Sequence, residues 1–365
     1  MVEAVKQTVT NLMGGSSHET RKLGKNGPSV TALGYGTMGL SAFYGKPKPD
    51  TERYAMLDHV YKSGELFWDS ADMYADSEDL LGRWFERNPG AREKIFLATK
   101  FANYVDPETG KRSVRNEPDY IRQQCEKSLQ RMKTNYIDLY YMHRADAKQP
   151  IEITVKVMKE LQDAGKVKYL GLSEISADTL RRACKIVHID AVQMEYSPFS
   201  MEIEQEGLLQ ACRELGVAVV AYSPLGRGFL TGSIRSRSDF EEGDFRTFAP
   251  RFSEENFHKN LELVDTLKAI ADKKGCTSGQ LTLAWLMESD PLILPIPGTT
   301  RIKNFDENMG SLKVNISKEE DAEIRKAISS AEVKGGRYPE AFSSALFVDT
   351  VSLDQYNGPH KTVIA

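Results

Sequence analysis

The chain has 365 residues, of which 40% are hydrophobic and 27% charged, with a net charge of −4. That balance offers no basic field for nucleic acid or for an anionic membrane, and no apolar run reaches the about 18 residues of a membrane span. The four cysteines, Cys125, Cys184, Cys212 and Cys276, form no CxxC pair, and no His/Cys/carboxylate cluster has metal spacing, so reduced thiols, a cytoplasmic location and no metal are expected.

Residues 1–20 are polar and lack the apolar stretch of a secretion signal, so they read as an N-terminal extension. Asn26-Gly27 predicts a hairpin over 21–31. Short apolar runs then predict strands at 31–36, 66–71, 95–100, 136–143, 168–173, 191–196, 218–223 and 292–296. They lack strict alternation, as strands covered on both faces do. Helical spacing of apolar residues falls between them, at 51–63, 77–87, 118–131, 152–164, 177–186 and 204–215. Gly64, Gly165 and Gly216 each stop a helix just before a strand. Residues 232–257 read as a long irregular loop, followed by helices at 255–274, 278–288 and 317–330. Alternating strands and helices predict an α/β fold, a (β/α)8 TIM barrel over 21–331 with an N-terminal β-hairpin and extra C-terminal helices. The remaining 332–365 form an irregular tail with scattered aromatics, expected near the substrate pocket.

Residues 34–39, GYGTMG, match the GxGxxG pattern of a dinucleotide-binding turn. That turn must open a helix, whose N-terminus faces the pyrophosphate. Here Gly45, Pro47 and Pro49 intervene before helical periodicity begins. The glycines read instead as part of the first strand and loop, leaving room for a ligand and for a bulky Phe43 or Tyr44.

Asp69, Tyr74, Lys100 and His143 lie at or just past the C-terminal ends of three different predicted strands. A parallel barrel gathers those ends at one rim. A carboxylate, a phenol, an ammonium and an imidazole would then share one pocket. Such a set supplies a proton donor, groups that tune it, and groups that orient a carbonyl.

The segments WDSADMY (68–74) and SEDLLG (77–82), with YIDLYYMH (136–143), LGLSE (170–174), VQMEYS (192–197), YSPLGRG (222–228) and IPGTTR (296–301), resemble the aldo-keto reductase family in order and spacing. The branch most resembled holds plant perakine reductase and its yeast and fungal relatives. The resemblance implies reduction of an aldehyde or ketone to an alcohol, with NADPH as cofactor and a small-molecule carbonyl substrate. Tyr74 would be the general acid. Lys100 would lower its pKa, Asp69 would hold Lys100, and His143 would bond the carbonyl oxygen. No side chain supplies a hydride, so a nicotinamide must. Tyr222 would stack on the nicotinamide, and Ser173 and Gln193 would bind its carboxamide. Ser223, Leu225, Gly226 and Arg227 would lie beside the pyrophosphate, with backbone N–H donors. Gly298, Thr299 and Arg301 would meet the 2′-phosphate, Glu307 and Asn308 the adenine. Phe43 and Tyr44 would line the substrate pocket. Glu174 stands where many relatives carry asparagine, and a carboxylate cannot donate to the carboxamide oxygen. Some relatives also place an arginine where this chain has Asn304, leaving the charge to Arg301 and Lys303. The same barrel also serves alcohol oxidation and cofactor-sensing subunits of the potassium-channel β type.

Overall fold

A computed structural model describes residues 18–363. Among these residues, eight parallel strands follow one another around a barrel: β3 (Tyr35–Gly36), β4 (Phe67–Asp69), β5 (Phe96–Phe101), β8 (Ile137–Met142), β9 (Val167–Ser173), β10 (Ala191–Glu195), β11 (Ala218–Tyr222) and β12 (Ile293–Pro295). Helices α1 (Asp50–Ser63), α2 (Ser77–Arg87), α3 (Pro118–Arg131), α4 (Ile151–Asp163) and α5 (Ala177–Ile186) cover the outside of the first half. The later turns use α6 (Glu202–Gln205), α7 (Leu208–Leu215), α8 (Glu254–Lys274), α9 (Ser278–Ser289), α10 (Ile302–Gly310) and α11 (Lys318–Ser330).

The inside of the barrel is a packed core of Phe67, Ala98, Leu139, Tyr141, Ala191, Val220 and Leu294. A hairpin of β1 (Thr20–Lys22) and β2 (Ser29–Thr31) closes the end where the strands begin, and adds Leu23 and Val30 to that core. With the bottom sealed, the C-terminal rim is where a site can open.

Glycines decide how the ring closes. The Gly34 and Gly36 N–H groups donate to Pro295 O at 2.9 Å and Pro297 O at 3.2 Å, joining the first strand to the last. A Cβ on Gly36 would lie 3.0 Å from Ile296 O, and one on Gly298 would lie 2.8 Å from Gly36 O. Gly34 and Gly36 of the GxGxxG match therefore let two backbones approach. Gly36 and Gly39 line the cavity at the rim, and a Cβ on Gly39 would lie 3.7 Å from the Tyr44 ring.

The structure departs from the sequence reading in three places. The strand expected at 31–36 shortens to Tyr35–Gly36, because Thr31 pairs with Thr20 in the hairpin. The helix expected at 204–215 is two helices, broken where Gly207 takes φ +72°. An unforeseen hairpin, β6 (Asn103–Val105) with β7 (Arg112–Val114), rises from the rim after β5. The tail is ordered against the barrel, where Val348 bridges to Ile175. No helix of the described residues is long and apolar enough to cross a membrane.

Candidate active site

A cavity of about 1390 Å³ opens at the C-terminal rim. Its floor is built by strand ends held in register. Gly36 pairs with Asp69, Lys100 with Tyr141, and Gln193 with both Ser173 and Val220. These strand ends bring Asp69, Lys100 and Gln193 within hydrogen-bond reach of one another, with His143 just past β8 on the cavity wall. Tyr74 joins them from a turn after β4, in which its N–H donates to Ala71 O at 3.2 Å and Ala75 takes φ +47°.

Lys100 is fully buried beneath the cavity. Its Nζ donates to Asp69 Oδ1 at 2.5 Å, to Ser70 O at 2.6 Å, and to Tyr74 Oη at 3.4 Å. Three acceptors for three ammonium protons leave the side chain one orientation. Asp69 Oδ2 accepts from Gln193 Nε2 at 2.8 Å, so both carboxylate oxygens are held. Burial pushes Asp69 up and Lys100 down, and their pairing opposes both shifts. The Tyr74 ring lies between two others edge-on, Phe43 at 6.3 Å and His143 at 5.8 Å between centroids.

The protonation states differ from the sequence expectation in one respect. On balance the Tyr74 phenol is raised, not lowered. Burial, reinforced by the Asp69 charge, pushes the phenol well above its ordinary value. Burial likewise pushes His143 well below its ordinary value, helped by the Arg144 and Lys100 charges. His143 Nδ1 is buried without a hydrogen-bond partner. The resting site thus presents a protonated phenol beside a neutral imidazole. kcat/KM, which reports the free enzyme, should therefore show no limb near the ordinary histidine value of about 6.5. The limb that belongs to Tyr74 should appear only in strong alkali, as the phenol loses its proton. Asp72, on the wall of the same cavity, is pushed up to about 8 by burial, with Glu78 adding to the rise. A limb near 8 that vanishes in Asp72→Asn belongs to that carboxyl; a limb near 6.5 would contradict a neutral His143.

The second half of the rim is built from β9 to β11. Tyr222 lines the cavity, and its hydroxyl donates to Glu174 Oε1 at 2.7 Å. Ser173 is buried off the cavity wall, and its hydroxyl donates to Gln193 O at 2.8 Å. Gln193, Ser223, Leu225 and Arg227 face the cavity. Gly226 does not: its φ is +56°, and a Cβ there would meet the Phe199 ring at 2.9 Å. Its N–H donates to Ser223 O at 2.9 Å and so closes the turn. The Arg227 guanidinium lies over both the Phe245 and Tyr338 rings, 4.8 and 4.9 Å from their centroids, and those two rings touch each other at 5.8 Å.

Gly298, Thr299, Arg301, Glu307 and Asn308 line the far end of the same cavity with Lys303 and Asn304. Arg301 is the exposed N-cap residue of α10, so its charge adds to the positive end of that helix. Phe43 and Tyr44 also line the cavity, and Tyr44 lies close to Thr300 across Gly39. The Phe245 N–H donates to Phe43 O at 3.0 Å, so the segment after β11 reaches across to the loop after β3. Within 232–257, Phe252 and Phe257 pack into the core and Phe240 meets both edge-on. Arg235 pairs with Asp265 at 2.6 Å, and Arg246 with Asp244 at 2.5 Å. Most of the aromatics and arginines of this segment thus hold it to the barrel.

Sequence reasoning missed Arg144 and Arg337 at this rim, and it named Tyr338 only as one of the aromatics of a tail expected near the substrate pocket, where Tyr338 does line the cavity. Arg144 follows His143 directly and lines the cavity, so its position at a strand end was a usable signal. Arg337 and Tyr338 come from the tail, where no periodicity announces them. Arg337 is buried and donates to both Glu174 oxygens, at 3.0 and 3.3 Å.

Comparison with known proteins agrees with this geometry. The model of the aldo/keto reductase family matches residues 32–329. The aldo-keto reductase yakc [NADP(+)] of Schizosaccharomyces pombe is 50% identical over 335 residues, covering 91% of this chain and 97% of that protein. The aldo-keto reductase str7 of Strobilurus tenacellus is 47% identical over 343 residues, covering 92% and 99%. Among solved structures, the glycerol dehydrogenase AKR11B4 from Gluconobacter oxydans superposes with a TM-score of 0.77 at 23% identity, covering 87% of this chain and 97% of that one. The thermostable aldo-keto reductase Tm1743, solved with the inhibitor epalrestat, superposes with a TM-score of 0.67 at 27% identity, covering 85% and 98%.

Proposed function

Because the chain belongs to the aldo/keto reductase family, and is thus an oxidoreductase, we propose that it reduces an aldehyde or ketone to an alcohol with NADPH, Tyr74 being the proton donor. The single observation that carries this reading is the buried chain Gln193–Asp69–Lys100–Tyr74, ending on a phenol at the cavity wall. The name of the Schizosaccharomyces pombe relative carries NADP(+), which supports the choice of cofactor. Its similarity and that of the Strobilurus tenacellus protein support a place in the branch of perakine reductase and its yeast and fungal relatives.

The cavity suits a dinucleotide along its length. Tyr222 offers an aromatic face at one end. Arg301 and Lys303, at the start of α10, offer cations for a phosphate at the other. Between them lie Ser223, Leu225 and Arg227, with Glu307 and Asn308 flanking the far end. Gln193 is the better candidate for the carboxamide, since it faces the cavity while Ser173 lies behind it. Bound there, the reduced nicotinamide supplies a hydride to the carbonyl carbon.

This chain's residues do the rest. The neutral His143 orients the carbonyl oxygen toward Tyr74. The phenol gives up its proton as negative charge develops on that oxygen. Lys100, at 3.4 Å, steadies the phenolate as it forms. Its effect is therefore felt during proton transfer, although burial dominates at rest. Phe43, Tyr44, Phe245 and Tyr338 give the walls an aromatic character, which favours aromatic or otherwise apolar carbonyl compounds.

Cofactor choice is testable at Arg301, whose planar fork suits a phosphate dianion. Arg301→Ala should weaken NADPH binding by roughly ten- to a hundredfold, the scale of a charge-assisted contact, and leave NADH nearly unchanged. Fluorescence titration with both cofactors measures this. Equal affinity of the unaltered protein for NADH and NADPH would remove the phosphate site from α10.

A further inference from the structure

Glu174 is fully buried at the cavity rim, with φ +52°, directly after β9. Its neighbours come from three parts of the chain. The Tyr222 hydroxyl bonds its Oε1, and Arg337 bonds both its oxygens. The tail also holds its backbone, since the Val348 N–H donates to Glu174 O at 2.9 Å and the Ser176 N–H to Val348 O at 3.1 Å. Arg337 also faces Glu202 at 3.5 Å and Glu195 at 3.8 Å. Glu195 has two further cations, Arg227 at 3.5 Å and Arg251 at 3.6 Å. Three buried or half-buried carboxylates thus face Arg227, Arg251 and Arg337, and the Arg144 charge also acts on Glu174. Of the three carboxylates, Glu174 is the one bonded to the Tyr222 hydroxyl. Burial alone would push Glu174 up, but the Arg337 and Arg144 charges, with bonds from Arg337 and Tyr222, hold it below its ordinary range. It is an anion.

We propose that Arg337, delivered by the C-terminal tail, is a positioning residue that cancels the charge of Glu174 and so keeps the Tyr222 end of the cavity from favouring oxidised over reduced cofactor. The proposal rests on the reading that the nicotinamide lies on Tyr222. An oxidised nicotinamide ring is a cation and a reduced one is neutral. A bare carboxylate at the edge of the Tyr222 platform would hold the oxidised form selectively. Such a site would retain its product and slow reduction. Paired with Arg337, Glu174 can fix the Tyr222 hydroxyl without imposing that bias. The tail thereby becomes part of the cofactor site.

The two partners of the pair should move one equilibrium in opposite directions. Full-length protein is titrated separately with NADP+ and NADPH by fluorescence, and the ratio Kd(NADP+)/Kd(NADPH) is compared. Arg337→Met should lower the ratio by roughly tenfold, the scale of one uncompensated charge in a partly buried site. Glu174→Gln should raise it. Arg337→Lys and the double variant E174Q/R337M should both lie near the unaltered ratio. A purely structural pair would weaken both forms alike, so parallel changes in both Kd values, or an unmoved ratio in both single variants, overturn the proposal. Should Arg337→Met not fold, Glu174→Gln and Arg337→Lys decide alone. Tyr222→Ala separates the underlying reading. If that variant leaves both Kd values unchanged, the nicotinamide is not on Tyr222 and both ideas fall. If it weakens both forms while the pair variants leave the ratio fixed, only the charge proposal falls.

Discussion

Replacing Tyr74 by phenylalanine is expected to lower kcat for carbonyl reduction by about two to four orders of magnitude, the range for losing a general acid. NADPH affinity should stay the same. The ring keeps its edge-on packing against Phe43 and His143, so the variant loses a hydroxyl and little else. That hydroxyl is the end of the Gln193–Asp69–Lys100 chain and the one proton donor held at its tip. Because burial keeps Tyr74 protonated at neutral pH, the proton is present before substrate arrives. Single-turnover kinetics with saturating cofactor separate chemistry from product release. A variant that reduces a good aldehyde at the unaltered rate would take Tyr74 out of the mechanism.

Lys100→Met should damage both catalysis and stability. The ammonium is fully buried and Asp69 nearly so. Removing one partner leaves an uncompensated carboxylate in the barrel floor, which costs about 3–5 kcal/mol. kcat should fall by about 10²–10³-fold, because nothing then steadies the developing phenolate. The sign of the pH dependence follows from the carboxylate that remains. Burial pushes Asp69 up, and without Lys100 the opposing charge is gone. An acid whose folded pKa is raised adds stability at low pH and loses it as pH rises through that pKa. The variant's deficit should therefore be smaller at about pH 5 than at about pH 8. Urea unfolding at the two pH values measures this. Adding Asp69→Asn should restore much of the stability but none of the activity. Unaltered stability in Lys100→Met would mean the pair is neither buried nor coupled as described.

The barrel and the heart of its site could be read from the sequence because both are written locally. Runs such as 95–100 and 136–143 are mostly apolar and end on Lys100 and His143. A charged or titratable residue ending a buried strand must sit at a rim. Helix boundaries were legible for similar reasons, with Pro118 opening one helix and Gly64 stopping another in a left-handed turn. The break at Gly207 was not, since apolar spacing continues across it and only the backbone angle reveals it. The hairpin of β6 and β7 was missed because it is largely exposed and buries too little apolar surface to leave a pattern. Gly226 lies in the expected turn, and its amide is bonded inside that turn. The Glu174–Arg337 pair spans 163 residues, and no local rule links an arginine in an aperiodic tail to the end of a barrel strand.

The most direct test of the central claim follows the hydride itself. The protein is mixed with NADPH deuterated at the transferred C4 position and with a panel of aldehydes and ketones, favouring aromatic ones. Mass spectrometry then locates the label. The account predicts an alcohol carrying one deuterium on its carbinol carbon, formed one for one with NADP+, with Tyr74→Phe giving almost none. Tight NADPH binding with no labelled alcohol from any carbonyl compound, or oxidation of NADPH that leaves the products unlabelled, would contradict it.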